Sequence, residues 1–260
     1  MKNLKITILQ TSLHWEDIEK NLAGIYDKLA VVKKSETDLI VLPEMFTTGF
    51  TMNASAIAET MDGTAVRFLK KTAKEKNAVI TGSVVIMENG NYFNRLLWVQ
   101  PDGNVQSYDK RHLFRMANEQ EKYTAGLERK IFEINGWKIC PLICYDLRFP
   151  VWSRNNEEID LLFYVANWPS RRRYAWKQLL IARAIENQCY VAGVNRVGID
   201  GNDVAYAGES VVLDALGDKM STFKPNIASV ETIILDYNKL NDYRKQFPVM
   251  LDADQFKITE

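Results

Sequence analysis

Three side chains able to do covalent or acid–base work stand in the same kind of place along this chain. Cys144 follows the apolar run WKICPLI, Glu44 follows DLIVLP, and Lys110 comes just after a strand-like stretch ending at Tyr108. In layered α/β folds ligands gather beyond the carboxyl ends of strands, so three such ends can converge on one pocket. A thiol of ordinary pKa, about 8.5, is mostly protonated at neutral pH. It needs a base or a nearby cation before it attacks a carbonyl, and a carboxylate and an ammonium are such groups.

Each residue also has a plain structural reading. A buried cysteine after an apolar strand is by default a small core hydrophobe, which is how Cys140 and Cys189, inside apolar strands, are read. Cys144 differs because the strand gives way at once to the polar run CYDLRFP and a helix start. That is elbow geometry, which exposes a nucleophile and aims backbone N–H groups such as that of Tyr145 at a developing oxyanion. Alone, Glu44 reads as a solvated loop residue or a cap, and Lys110 as an exposed lysine. His112 invites a Cys-His dyad, but a packed loop histidine accounts for it, and the base has to come from elsewhere. His14 and His112 are the only histidines, so no histidine-rich metal site is indicated. The GES run at 208–210 lacks the second glycine of G-x-S-x-G, and its serine has no histidine partner.

The elements that must position these groups are legible in outline. Leu4–Leu9 reads as a strand, and residues 17–33 as an amphipathic helix with Ile18, Leu22, Ile25, Leu29 and Val32 on one face. Asp38–Leu42 suits a strand buried on both faces. A helix marked by Val66, Leu69 and Ala73 precedes strand Ala78–Ile86, and Asn89-Gly90 turns the chain into Tyr92–Val99. A further strand lies near 104–108, and the long polar segment 109–126 has the length of a functional loop. Asn135-Gly136 closes a second hairpin into Trp137–Ile143. A helix at 147–155, strand Asp160–Val165, helix 174–188, strand Cys189–Val197 and strands near 204–214 and 228–235 complete the prediction. The order begins βαβα and then turns to hairpins and mixed strands, which points to stacked sheet and helix layers.

Composition narrows the classes further. The 260 residues are 47% hydrophobic and 25% charged, as in an ordinary globular enzyme, and fit one large α/β domain spanning residues 1–260. Thirty-three basic residues balance thirty-three acidic ones, so nothing draws the whole chain to nucleic acid or an anionic membrane. No apolar run reaches the roughly 18 residues of a membrane helix, and the start carries no secretory signal pattern. Three cysteines without framework spacing fit a reduced cytoplasmic compartment.

The runs PEMFTTGF, YDKRHLF and ICYDLRFP, in that order and at those distances, resemble the three signatures of the nitrilase superfamily. The likeness continues through ANWPSRRRYAWKQLLIARAIENQCYVAGVNRVG to AGES and so covers nearly the whole chain. It implies a four-layer α-β-β-α sandwich, a homodimer, and a Glu44–Lys110–Cys144 triad without metal or organic cofactor. It also implies a second glutamate that orients the lysine or the substrate. Glu119, seven residues before Gly126, is the match, with Glu121 as its rival.

Within the superfamily, the loop HLFRMANEQEKYTAG, the CYDLRFPVW run and the ANWP and ARAIENQ block most resemble the bacterial omega-amidase branch. That resemblance implies a small-molecule amide substrate and water, the amide being a monoamide of an oxo-dicarboxylic acid such as 2-oxoglutaramate or 2-oxosuccinamate. Such a substrate calls for a cation at its distal carboxylate, a task suited to the arginine fork. Arg115, Arg148 and Arg172, within the Arg171–Arg173 run, are candidates, while Phe114, Tyr145 and Trp168 could wall a narrow pocket. Other amidases or carbamoylases of the superfamily, or a non-catalytic binding relative, are the alternatives, and the intact triad argues against the last.

Overall fold

The computed structural model describes residues 2–258. The chain opens with β1 (Leu4–Gln10), α1 (Ile18–Leu29) and β2 (Leu39–Val41), then α2 (Ala54–Ile57), α3 (Thr64–Lys76), β3 (Val79–Glu88), β4 (Asn91–Val99) and β5 (Val105–Asp109). Its second part holds β6 (Phe132–Ile134), β7 (Trp137–Ile143), α4 (Pro150–Ser153), β8 (Leu161–Ala166), α5 (Arg173–Asn187), β9 (Tyr190–Asn195), β10 (Val197–Ile199), β11 (Ala205–Ala207), β12 (Val211–Leu213), β13 (Ser229–Leu235) and α6 (Tyr237–Gln246).

Two sheets carry the architecture. One runs β13-β1-β2-β3-β4-β5 and the other β12-β9-β8-β7-β6, with β10 and β11 as a separate hairpin. Each is built around three parallel strands, β1-β2-β3 and β9-β8-β7, with antiparallel strands outside them. Parallel strands buried on both faces read as unbroken apolar runs, and so LIV of β2 and LLFYVA of β8 are wholly buried. One core is shared between the sheets: Ile6, Val41 and Leu96 of the first belong to the same buried cluster as Ile139 and Phe163 of the second. Trp98 of β4 packs on Phe132 of β6 and Phe163 of β8, with ring centroids 4.9 and 6.5 Å apart.

The outer layers follow from amphipathic helices. Asp17 caps α1 by accepting from the Lys20 N–H, and Leu22, Ile25 and Leu29 face inward. With Val66, Leu69 and Ala73 of α3 they cover the outer face of the six-stranded sheet. On the other side α5 packs on β9 and places Trp176, Leu180 and Ala184 in the core. The result is the α-β-β-α sandwich expected from the sequence.

Local departures have identifiable causes. In place of a helix at 147–155 the chain makes a 3-10 turn, Cys144–Arg148, and the four-residue α4. Phe149 sits between them in extended conformation (φ −111°, ψ 93°), as a residue before proline prefers. The strand expected over 204–214 divides into β11 and β12 because Gly208 (φ 70°) and Glu209 (φ 56°) are both left-handed. The stretch 189–197 likewise splits into β9 and β10, and the loop 45–60 contains the short α2. Helix α6 has no counterpart in the sequence reading. Leu240 is its one buried residue, so it lacks an apolar stripe.

Candidate active site

The carboxyl ends of β2, β5, β7 and β8 bring the site together. Past β2, the Leu42 N–H donates to Thr81 O, the Met45 N–H donates to Ser83 Oγ, and Met45 turns left-handed (φ 42°). This pins Glu44, which is wholly buried. Past β5, the Lys110 N–H donates to Asn94 O (3.0 Å) and its carbonyl accepts from the Gly126 N–H (2.9 Å). Past β7, Cys144 adopts φ 45°, a left-handed conformation that costs a non-glycine residue of order 1–3 kcal/mol and persists where surroundings fix it.

Those surroundings centre on Asp146. Its buried carboxylate accepts from Tyr108 Oη (2.7 Å), the His112 N–H (3.0 Å), His112 Nδ1 (2.8 Å) and the Ile143 N–H (3.0 Å). The His112 ring stacks on Phe149 at 3.7 Å. His112 is therefore a packed loop residue that braces the elbow, as the sequence suggested.

At the centre, Lys110 Nζ lies 2.9 Å from Glu44 Oε1 and 3.0 Å from both Glu119 oxygens. Asn94 Nδ2 donates to Glu44 Oε1 (2.8 Å), the Asn167 N–H donates to Glu44 Oε2 (2.8 Å), and the Phe114 N–H donates to Glu119 Oε2 (2.6 Å). Cys144 Sγ stands 4.0 Å from Asn167 O. Of the two rivals, Glu119 is fully buried against Lys110 while Glu121 is exposed.

The charges explain one another. Burial opposes the Lys110 ammonium, but Glu119 and Glu44 outweigh it and hold its pKa above the ordinary lysine value. Burial raises the Glu119 pKa, Lys110 opposes that rise and Glu44 adds to it. Burial pushes the Cys144 thiol well up, Glu44 pushes it further, and Lys110 pulls it down. A thiol so placed keeps its proton at neutral pH until an adjacent base takes it.

A cavity of about 590 Å³ opens above the cluster. Of the residues anticipated, Lys110, Cys144, Tyr145, Phe114, Arg148, Trp168 and Arg172 line it. Arg115 does not: it is exposed on its 3-10 turn, and the neighbouring Met116 takes the wall position. Arg173 also faces elsewhere, pairing with Glu209 alongside Lys177. Sequence reasoning missed Asn94 and Asn167. Their signal was available, since Asn94 interrupts apolar β4 and Asn167 follows β8 as Cys144 follows β7. It marked the turn at 200–202 but did not assign to the site the β10–β11 hairpin that the turn closes, which contributes Asp200, Asn202, Val204 and Tyr206 to the wall. Among the described residues no cluster of histidine, cysteine and carboxylate side chains could hold a metal ion, and no helix is long and apolar enough to cross a membrane.

Two stacked sheets with an acid, an ammonium and a thiol gathered at their strand ends are the mark of the nitrilase superfamily. The chain belongs to the carbon-nitrogen hydrolase family, whose sequence pattern matches residues 5–245, and it is a hydrolase of carbon–nitrogen bonds other than peptide bonds. It is similar to the omega-amidase YafV of Yersinia enterocolitica, with 49% identity over 99% of this chain and 100% of that protein. The 2-oxoglutaramate amidase of Bacillus subtilis is 36% identical over 85% of this chain and 86% of its own. Among solved structures, XC1258 of Xanthomonas campestris, a CN-hydrolase superfamily protein carrying an arsenic adduct in its active site, is 46% identical. It superimposes with a TM-score of 0.97 over 100% of both chains.

Proposed function

We propose that the protein is an omega-amidase that hydrolyses the terminal amide of a small dicarboxylic acid monoamide, 2-oxoglutaramate or 2-oxosuccinamate, through a thioester on Cys144. The observation that carries the reading is Lys110 clamped between two buried carboxylates beside a buried thiol. The names of the relatives support the substrate class.

Glu44 takes the proton of Cys144 Sγ as the sulfur bonds to the amide carbon. The carbonyl oxygen becomes an oxyanion held by Lys110 Nζ and the Tyr145 N–H, one of the first N–H groups of the 3-10 turn, which have no partner within the turn. On collapse the C–N bond breaks, Glu44 returns the proton to nitrogen and ammonia leaves. Water then attacks the thioester while Glu44 accepts its proton, and the second collapse restores the thiol and releases the carboxylic acid. Glu119 holds Lys110 in place and does not exchange protons with substrate.

Ammonia release across a panel of omega-amides, nitriles and carbamoyl compounds tests this. We expect 2-oxoglutaramate to be turned over, and iodoacetamide or Cys144→Ala to abolish turnover in a folded protein. A Cys144→Ala protein keeping a tenth of wild-type activity rules out the mechanism, whereas preference for a nitrile or a neutral amide rules out only the omega-amide assignment. We propose also that the chain is one domain and works as a cytoplasmic homodimer. The core shared by both sheets supports the first point. The exposed Tyr174 and Ile185 of α5 offer apolar surface for the second.

A further inference from the structure

Strand β4 turns an apolar face to the second sheet, with one polar side chain on it. Leu96 and Trp98 lie on that face and belong to the shared core, and the alternation of a strand places Asn94 beside them. The adjacent Arg95 takes the opposite face, where it pairs with Asp109 (2.7 Å) and Glu88 (3.1 Å). Asn94 is wholly buried, and its Oδ1 has no hydrogen-bond partner among the described residues. A buried acceptor without a donor is destabilising, so an apolar side chain here would suit the core better. Local rules are broken in this way chiefly at functional sites.

The other end of the amide shows what it serves. Nδ2 carries two hydrogens. It donates to Glu44 Oε1 at 2.8 Å and reaches Glu119 Oε1 at 3.5 Å. The same two oxygens lie 2.9 and 3.0 Å from Lys110 Nζ. The two carboxylates are thus bridged twice, once by an ammonium and once by a neutral amide. Asn94 also fixes the ammonium's own backbone, because its carbonyl accepts the Lys110 N–H at 3.0 Å. The type of donor matters here. A second cation would quench the carboxylate that has to accept a proton, and an apolar group would leave Lys110 as the one side-chain donor to that oxygen. An amide adds a hydrogen bond and no charge. Asn94 is not part of the cavity wall, so it acts on the reaction through its neighbours.

We propose that Asn94 is a positioning residue of the reaction: its amide holds the Glu44 carboxylate in the orientation from which it exchanges protons, and spaces it from Glu119, without adding charge. The assignment rests on the reading of Glu44 as the proton carrier and is independent of which amide is hydrolysed.

Two variants test it, each assayed on the amide that wild type hydrolyses fastest. Asn94→Leu keeps nearly the same shape and removes both polar ends. Its kcat should fall about 10- to 100-fold with KM within about twofold of wild type, while its urea midpoint stays at or above that of wild type. Asn94→Asp supplies the sign. Protonated, the introduced carboxyl donates to Glu44 as the amide does; ionised, it cannot donate and sets a third negative charge against Glu44 and Glu119. Its kcat relative to wild type should therefore be highest at the acid end of a profile from about pH 5 to about pH 9 and fall as pH rises. A purely structural asparagine would instead lose kcat and urea midpoint together, with no change in the shape of the profile. The proposal is overturned if Asn94→Leu keeps kcat within about threefold of wild type, or loses activity only in step with its stability. It is equally overturned if Asn94→Asp follows the wild-type profile or is inactive at every pH. Activity retained by Glu44→Gln would instead remove the reading of Glu44 on which the proposal rests.

Discussion

Glu44 accepts hydrogen bonds from Lys110, Asn94 and the Asn167 N–H and acts electrostatically on the Cys144 thiol, whereas Glu119 accepts from Lys110 and the Phe114 N–H. We propose that these different surroundings give them different work, and the isosteric amides test it. Glu44→Gln removes the only proton carrier between thiol, ammonia and water, so kcat should fall about 10³-fold or more. Glu119→Gln keeps shape and part of the hydrogen bonding, and a loss of roughly 10- to 100-fold is expected. Alkylation gives an independent sign. After burial, the Glu44 charge is the largest influence raising the Cys144 pKa, so its removal lowers that pKa. The pH profile of iodoacetamide labelling, followed by mass, should therefore move to lower pH in Glu44→Gln although turnover is lost. Equal kinetic losses in the two variants, or a profile moved upward, would contradict the division of roles. At this scale the sequence pointed to Glu44, Lys110, Cys144 and Glu119, which the fold gathers, because each is a charged or nucleophilic type in a motif. Asn94 and Asn167 left only a positional trace, because what a buried asparagine touches, here Glu44, is not written in a linear pattern.

Lys110 is carried by a loop, and the loop is held by a glycine. The Gly126 N–H donates to Lys110 O, and a Cβ at Gly126 would lie 2.2 Å from Asp109 O, a backbone atom that cannot swing aside. Gly126→Ala should push the 109–126 segment away from β5 and misplace the ammonium by an ångström or so, enough to cost on the order of 10²-fold in kcat. Steady-state kinetics alongside near-UV circular dichroism would check it, and an Ala variant with native kcat would refute it. Element boundaries were readable wherever apolar periodicity or an Asn-Gly turn marked them, as at β3–β4 and β6–β7. They were unreadable where tertiary contacts decide. The elbow at Cys144–Arg148 depends on Asp146 collecting donors from β5, β7 and the loop after β5. Helix α6 depends on Tyr237 packing on Trp137, with centroids 5.4 Å apart, and on Arg244 bonding Asp160.

Across the whole molecule, charge is balanced at thirty-three of each sign, yet the cavity wall gathers three arginines over a cluster of two glutamates and one lysine. Neutral composition thus says little about the local field that meets a substrate. Burial on the second sheet has an electrostatic consequence of its own, because Cys140 and Cys189 are wholly enclosed in the core beside Tyr164 of β8. Burial holds each thiol's proton to about 12, against an ordinary value of 9.0. The folded pKa is raised, so the stability involved is complete below pH 9 and is lost as pH climbs from 9 toward 12, where the unfolded chain releases protons that the native chain retains. Each thiol contributes up to about 1.4 kcal/mol per pH unit in that window. Urea midpoints measured from pH 8 to 10, below the range where tyrosines of the unfolded chain ionise fully, should fall more steeply for wild type than for Cys140→Ala/Cys189→Ala. The double variant starts lower at pH 8 because truncating core side chains costs on the order of 1 kcal/mol each. Parallel pH dependences in the two proteins would mean that the thiols ionise as freely in the fold as out of it, and the dryness of the core around them would have to be reconsidered.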